Sequence, residues 1–233
     1  MRQGFICLAT LLCLIPVAAL ASAEDDGTLK EGDVAPVFTG KVLNADVAGV
    51  KTVALDQVVG GTATPAKKAV ILSFFAQYCE PCKKELPYLE ALHQKYKDQG
   101  LGVMVVSIDQ KPEDIQKAQD LAKEKGVTYP VLSDRFNIVA KRYGVKRLPC
   151  LYILDAQGKV SMVNTGYTEE FGGTLLNAVQ TRLGVPLDPK AVPHAAAAAP
   201  ADSTVTSAAT PPPADAEAED KTAGKTKKKK KGK

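Results

Sequence analysis

Residues 74–87 read Phe74-Phe75-Ala76-Gln77-Tyr78-Cys79-Glu80-Pro81-Cys82-Lys83-Lys84-Glu85-Leu86-Pro87. The run Ala69-Val70-Ile71-Leu72-Ser73-Phe74-Phe75 leads into this stretch and is short and apolar, as a buried strand would be. After Cys82, Leu86, Leu89, Leu92 and Tyr96 recur at three- and four-residue spacing, the period of one helix face. The two cysteines therefore sit where a strand ends and a helix begins. That position favours a redox pair over the other common meaning of C-x-x-C, half of a zinc site. Zinc would call for a second C-x-x-C or a matched pair of histidines, and beyond the first twenty residues the chain offers only Cys150, His93 and His194. No metal and no cofactor is expected. An inert structural disulfide is the third reading.

The junction explains the chemistry. A helix start leaves backbone N–H groups unpaired and carries partial positive charge. A thiolate placed there is stabilised, and its pKa falls below the free value of about 8.5. Cys79 is expected to be the exposed nucleophile at the helix entrance. Cys82 lies one turn deeper on the same face and can attack the mixed disulfide formed by Cys79, releasing the reduced partner. Pro81 fits the first turn, where its missing N–H costs little. Glu80 opposes the thiolate and Lys83 and Lys84 favour it, so the net sign is open.

With 233 residues and 45 % hydrophobic composition, the chain has room for one ordinary domain plus ends. Met1-Arg2-Gln3, an apolar run from Gly4 to Leu20 and then Ala21-Ser22-Ala23 describe a secretory signal peptide over residues 1–23, cleaved after Ala23; an uncleaved anchor is the alternative. Removal takes Cys7 and Cys13 with it. Cys79, Cys82 and Cys150 remain, one working pair and one odd thiol rather than the larger even set of a stapled domain. Export places the pair in an oxidising space, where a reductant needs an electron donor.

Residues 24–31 form a polar lead-in. A domain is expected over 32–186. Val42-Leu43 and Thr52–Leu55 form a hairpin, and Gly60–Pro65 a turn-rich loop. Pro87 should kink the active helix. Gly102–Ser107 is a second buried strand, Pro112–Lys125 an amphipathic helix, and Phe136–Tyr143 a short one. Strands at Leu151–Leu154 and Lys159–Val163 flank the turn at Asp155–Gly158, and a last helix spans Gly166–Leu183. Strands alternating with helices, closed by a hairpin, give an α/β domain with a mixed central sheet flanked by helices and an added N-terminal hairpin. Residues 187–233 are rich in Ala, Pro, Ser and Thr and read as disordered. From Lys190 onward, nine lysines against five acids carry the whole net charge of +4. A lysine-rich end of this kind is either a solvated tail or a contact for an anionic membrane or wall polymer. Nucleic acid is not expected as the partner of an exported protein.

The stretch 74–87 resembles the active site of exported thioredoxin-like reductases of the TlpA/ResA kind. Gly32–Phe38 is similar to that family's N-terminal hairpin, Leu148-Pro149 to its cis-proline loop and Asp155–Gly158 to the following turn. The likeness covers about residues 30–186. It implies a thioredoxin fold and thiol–disulfide exchange on a protein disulfide substrate, often the cysteine pairs of apocytochromes c, with electrons supplied by a membrane donor protein and with this exported chain itself in the periplasm or at the outer face of the cytoplasmic membrane.

Glu85 follows Cys82 by three residues and falls on the inward side of the helix, where desolvation raises a carboxylate's pKa and suits it to handle the Cys82 proton. The bland alternative is a surface carboxylate paired with Lys83 or Lys84. Thioredoxin carries a buried acid on the preceding strand, at the position of Ser73 here, and the resemblance implies that Glu85 takes over that role. It also implies that Pro149 is cis and faces the cysteine pair, leaving the Leu148 backbone to bind a substrate strand, with Tyr78, Glu80 and Pro81 lining the same surface. Tyr78 stands where the family usually has Trp, and Cys150 where Thr is usual. Cys150 is either a buried small hydrophobe or a third thiol that captures the disulfide or helps hold a metal.

A disulfide-forming oxidant on the same fold and a non-catalytic binding module are the alternatives; the intact pair speaks against the second. A thiol peroxidase would want Thr and Pro framing its cysteine, and Phe74–Cys79 has neither.

Overall fold

The computed structural model describes residues 27–192 other than 167 and 169. Seven strands form one sheet in the order β2-β1-β5-β4-β3-β6-β7. They are β1 (Thr39–Val42), β2 (Thr52–Ala54), β3 (Ala69–Phe75), β4 (Leu101–Ser107), β5 (Val131–Ser133), β6 (Cys150–Asp155) and β7 (Val160–Thr165). β3 runs parallel to β4, and β4 to β5, whereas β6 is antiparallel to β3 and β7 to β6. The expected hairpin is present: β1 and β2 pair antiparallel, and β1 also pairs with β5. The helices are α1 (Ala45–Ala48), α2 (Glu80–Tyr96), α3 (Pro112–Glu124), α4 (Ile138–Arg142) and α5 (Phe171–Leu183). The α/β class with a mixed sheet, read from the sequence, is what the chain adopts.

Every residue of β3 is buried, and its alternate side chains serve two cores. Ala69, Ile71 and Phe75 face a cluster with Leu86, Leu89 and Leu92 of α2 and Leu175, Leu176 and Val179 of α5. Val70, Leu72 and Phe74 face a second cluster with Phe38, Val53 and Tyr143. α2 continues through Pro87 to Tyr96. Gly100, at a positive φ of 105°, then turns the chain directly into β4. α5 starts at Phe171, five residues later than the glycine-bounded reading from Gly166. Packing continues past Pro186: the Gln180 amide donates to Asp188 O and accepts from Asp188 N, and Val192 is buried against α5. The segment 1–23, read from the sequence as a signal peptide, and residues 193–233 of the tail lie outside the described residues. No described helix is long and apolar enough to cross a membrane.

Asn44 joins the N-terminal hairpin to the rest. Its buried amide donates to Val127 O (3.3 Å) and Tyr129 O (2.9 Å), and its Oδ1 accepts from Val131 N at 2.9 Å. An Asn44→Ala change strands three buried backbone groups, each costly to leave without a partner. It is expected to cost about 2–3 kcal/mol, read as a lowered urea midpoint with an unchanged m-value.

Candidate active site

The sheet brings the working residues to one end. β3, β4 and β5 are parallel, so their C-terminal ends lie side by side. β6 enters from the same end, with Cys150 opposite Phe74. The loops after Phe75 and Ser107 and the Leu148-Pro149 turn are thereby neighbours.

Cys79 is the N-cap of α2, in extended backbone conformation (φ −85°, ψ 99°). Its Sγ accepts the N–H of Cys82 at 3.3 Å, and Pro81 sits in the first turn. The sulfur is thus held against one of the unpaired N–H groups that the helix start leaves over. Cys79 and Cys82 form a disulfide with a Cα–Cα separation of 5.3 Å. Cys79 is 7 % exposed and Cys82 0 %. Cys79 is the more accessible residue of the two, but in the oxidised pair it is buried rather than the exposed nucleophile expected from the sequence. Tyr78 beside it is 66 % exposed and forms a prominent apolar surface rather than a cover. Glu80 and Lys83 neutralise each other in an ion pair of 2.6 Å.

Glu85 is 2 % exposed, and its partner is not a lysine but Ser73, whose hydroxyl donates to Oε1 at 2.9 Å. Burial pushes the carboxyl up to about 8, against the opposing effect of that hydrogen bond. Glu85 lies one turn beyond Cys82, and both are buried on the same side of α2. Near neutral pH it mostly holds a proton and can give one; its ionised form, which grows as pH approaches about 8, can take one as Cys82 changes state.

The Leu148-Pro149 peptide is cis, and Pro149 O accepts Gly166 N at 2.7 Å. Pro149 is buried, and Leu148 is half-buried against both cores. Cys150 is free and 1 % exposed. Its side chain belongs to the second core with Phe74 and Tyr152, whereas Cys79 and Cys82 belong to the first. The structure therefore does not bring Cys150 to the pair: the sheet stands between them. Burial pushes the Cys150 thiol up, countered by its hydrogen bond with Tyr152. His93 packs edge-on against Tyr129, and burial pulls its pKa down. Among the described residues, no group of three or more His, Cys, Asp or Glu is placed to hold a metal ion.

Sequence reasoning missed one cluster. Asp109, 3 % exposed, follows β4 and accepts from Gln77 N and from the Ser107 hydroxyl. Parallel pairing of β4 with β3 was the signal for it, since that pairing lays Ile108-Asp109 beside Ala76-Gln77.

The AhpC/TSA family model matches residues 32–163. The thiol–disulfide oxidoreductase ResA of Oceanobacillus iheyensis is 31 % identical over 171 residues, 71 % of this chain and 83 % of that protein. The chain is a ResA-like member of the AhpC/TSA family. The ResA of Geobacillus thermodenitrificans is 34 % identical over 99 residues, 42 % of this chain and 55 % of that protein, so this chain spans about half the length of that relative. A solved thiol:disulfide interchange protein from a Bacteroides species is 27 % identical, with a TM-score of 0.52, covering 67 % of this chain and 91 % of its own.

Proposed function

We propose that this ResA-like thiol–disulfide oxidoreductase reduces protein disulfides outside the cytoplasmic membrane through Cys79 and Cys82. The observation that carries the reading is Cys79 at the N-cap of α2, its sulfur against the Cys82 N–H and a buried disulfide partner one turn deeper. Cys79 as thiolate attacks one sulfur of the substrate disulfide. A Cys79–substrate disulfide forms, and the other substrate sulfur leaves as a thiolate that takes up a proton. Cys82 then loses its proton to Glu85 in its ionised form and attacks Cys79 Sγ. The Cys79–Cys82 disulfide forms and the second substrate thiol is released. Two electrons pass to the substrate, and a membrane donor protein restores the dithiol. The cis Leu148-Pro149 turn supports a site for the extended segment that carries the substrate disulfide. Cysteine pairs of apocytochromes c are the substrate class that the resemblance favours.

The test is the reduction potential of the pair, by equilibration in glutathione or dithiothreitol buffers. A value of about −270 mV, as for thioredoxin, is the expected result. A value of about −120 mV would make the protein a disulfide-forming oxidant and overturn the direction.

A further inference from the structure

Four residues separate β3 from α2, and they are pinned from outside. Cys79 N donates back to Ala76 O at 3.0 Å, so residues 76–79 close a tight turn. Gln77 is the second residue of that turn, and its N–H points at a carboxylate, 3.0 Å from Oδ2 and 3.3 Å from Oδ1 of Asp109. Asp109 is itself fixed: the Ser107 hydroxyl donates to its Oδ2 at 2.8 Å, and its own N–H donates to Ser107 Oγ at 3.3 Å. The Gln77 side chain reaches the other way, its Nε2 donating to Asp114 Oδ1 in the first turn of α3 at 3.3 Å. The carboxylate just past the end of the neighbouring strand thus grips the turn that delivers Cys79 to the helix start.

We propose that Asp109 is a positioning residue for Cys79: by holding the Gln77 N–H it fixes the turn that keeps the Cys79 sulfur over the unpaired N–H groups of α2. This rests on the reading of Cys79 as the attacking thiol. The bond and the charge of Asp109 act in opposite senses. Fixing the turn stabilises the thiolate, because a sulfur held at a helix N-terminus gains from the exposed N–H groups. A negative charge nearby disfavours it. Substitutions that separate bond from charge therefore give different results.

The experiment is the rate of iodoacetamide alkylation of the reduced protein against pH, with the modified residue located by mass spectrometry. Asp109→Ala removes both bond and charge, and the Cys79 rate at pH 7 is expected to fall about three- to tenfold, with its pH profile moved to higher pH. Asp109→Asn keeps an acceptor for Gln77 N–H and is expected to stay within about twofold of wild type. Should Asp109→Ala not fold, Asp109→Ser is used. Its shorter side chain can still pair with Ser107, and it must show the same slowing. Asp134→Ala is the structural control. Asp134 is equally buried but caps α4, accepting from Ile138 N and Ala140 N, so its loss should lower the melting temperature and leave the Cys79 profile unmoved.

Faster alkylation in both the Ala and Asn variants would show that Asp109 acts through its charge and overturn the proposal. An unchanged rate in Asp109→Ala, or equal slowing in Asp134→Ala, would do the same. Alkylation of Cys82 instead of Cys79 in the wild-type protein would overturn the reading of the pair, a failure distinct from these.

Discussion

Cys79→Ser is expected to lose disulfide exchange by about a thousandfold or more, and Cys82→Ser to lose turnover while still forming a bond with its substrate. The difference follows from where each sulfur sits. Cys79 is the less buried of the two and caps the helix, so a serine in its place leaves no thiol that a substrate can reach to begin the reaction. Cys82 is fully buried and can meet only the sulfur already at Cys79. Its removal therefore stops the second step and not the first, and a mixed disulfide accumulates. Insulin reduction read by turbidity checks the turnover, and non-reducing gels with mass spectrometry check for the trapped adduct. An adduct on Cys82 in the Cys79→Ser variant would invert the assignment.

The second large effect belongs to Glu85. Its carboxyl is raised from 4.5 to about 8 by burial. In the unfolded chain it titrates near 4.3. Below pH 4 both states hold the proton. Between about 4.5 and 8 only the folded state does, so rising pH steadily favours unfolding, and above about 8 the loss is complete. At about 1.4 kcal/mol per pKa unit the whole shift amounts to about 4–5 kcal/mol. Glu85→Gln keeps the acceptor for the Ser73 hydroxyl but does not ionise. The variant should match wild type at pH 4 and exceed it in stability at pH 9, measured as the urea midpoint of the oxidised protein. Catalysis should move the other way. If Glu85 takes the Cys82 proton, release of a preformed mixed disulfide should rise with pH through about 8 in wild type. The same step should be slower by about a hundredfold in Glu85→Gln, with that rise gone. A variant equal to wild type in both measurements would remove Glu85 from the mechanism.

The strand–C-x-x-C–helix junction was legible because three local signals agree there: an apolar run, a cysteine pair and a 3.6-residue period. The inward position of Glu85 was legible for the same reason, since helix spacing alone puts it under Cys82. For Cys150 the sequence left two readings, a buried small hydrophobe and a third thiol beside the pair; β6 alternates, and its register against β3 sends Cys150 to the buried face of Phe74 and Leu72 rather than that of Phe75, which is the first reading. A one-residue difference in register decides this, and a single strand read alone does not fix it. Asp109 was illegible for a related reason: its partner, Gln77, is 32 residues away, and only the pairing of β3 with β4 makes them neighbours. The start of α5 was misplaced because Gly166 marks a turn and not the helix itself.

The seclusion of Cys150 bears on fidelity. In an oxidising compartment a spare thiol beside an exchange centre would compete for every mixed disulfide and scramble the electron flow. Here that thiol and the pair are lodged in opposite cores, with the hydrogen-bonded backbone of β3 and β6 between them. The sheet works as an insulator around a two-electron circuit, confining the current to a single pair of sulfurs.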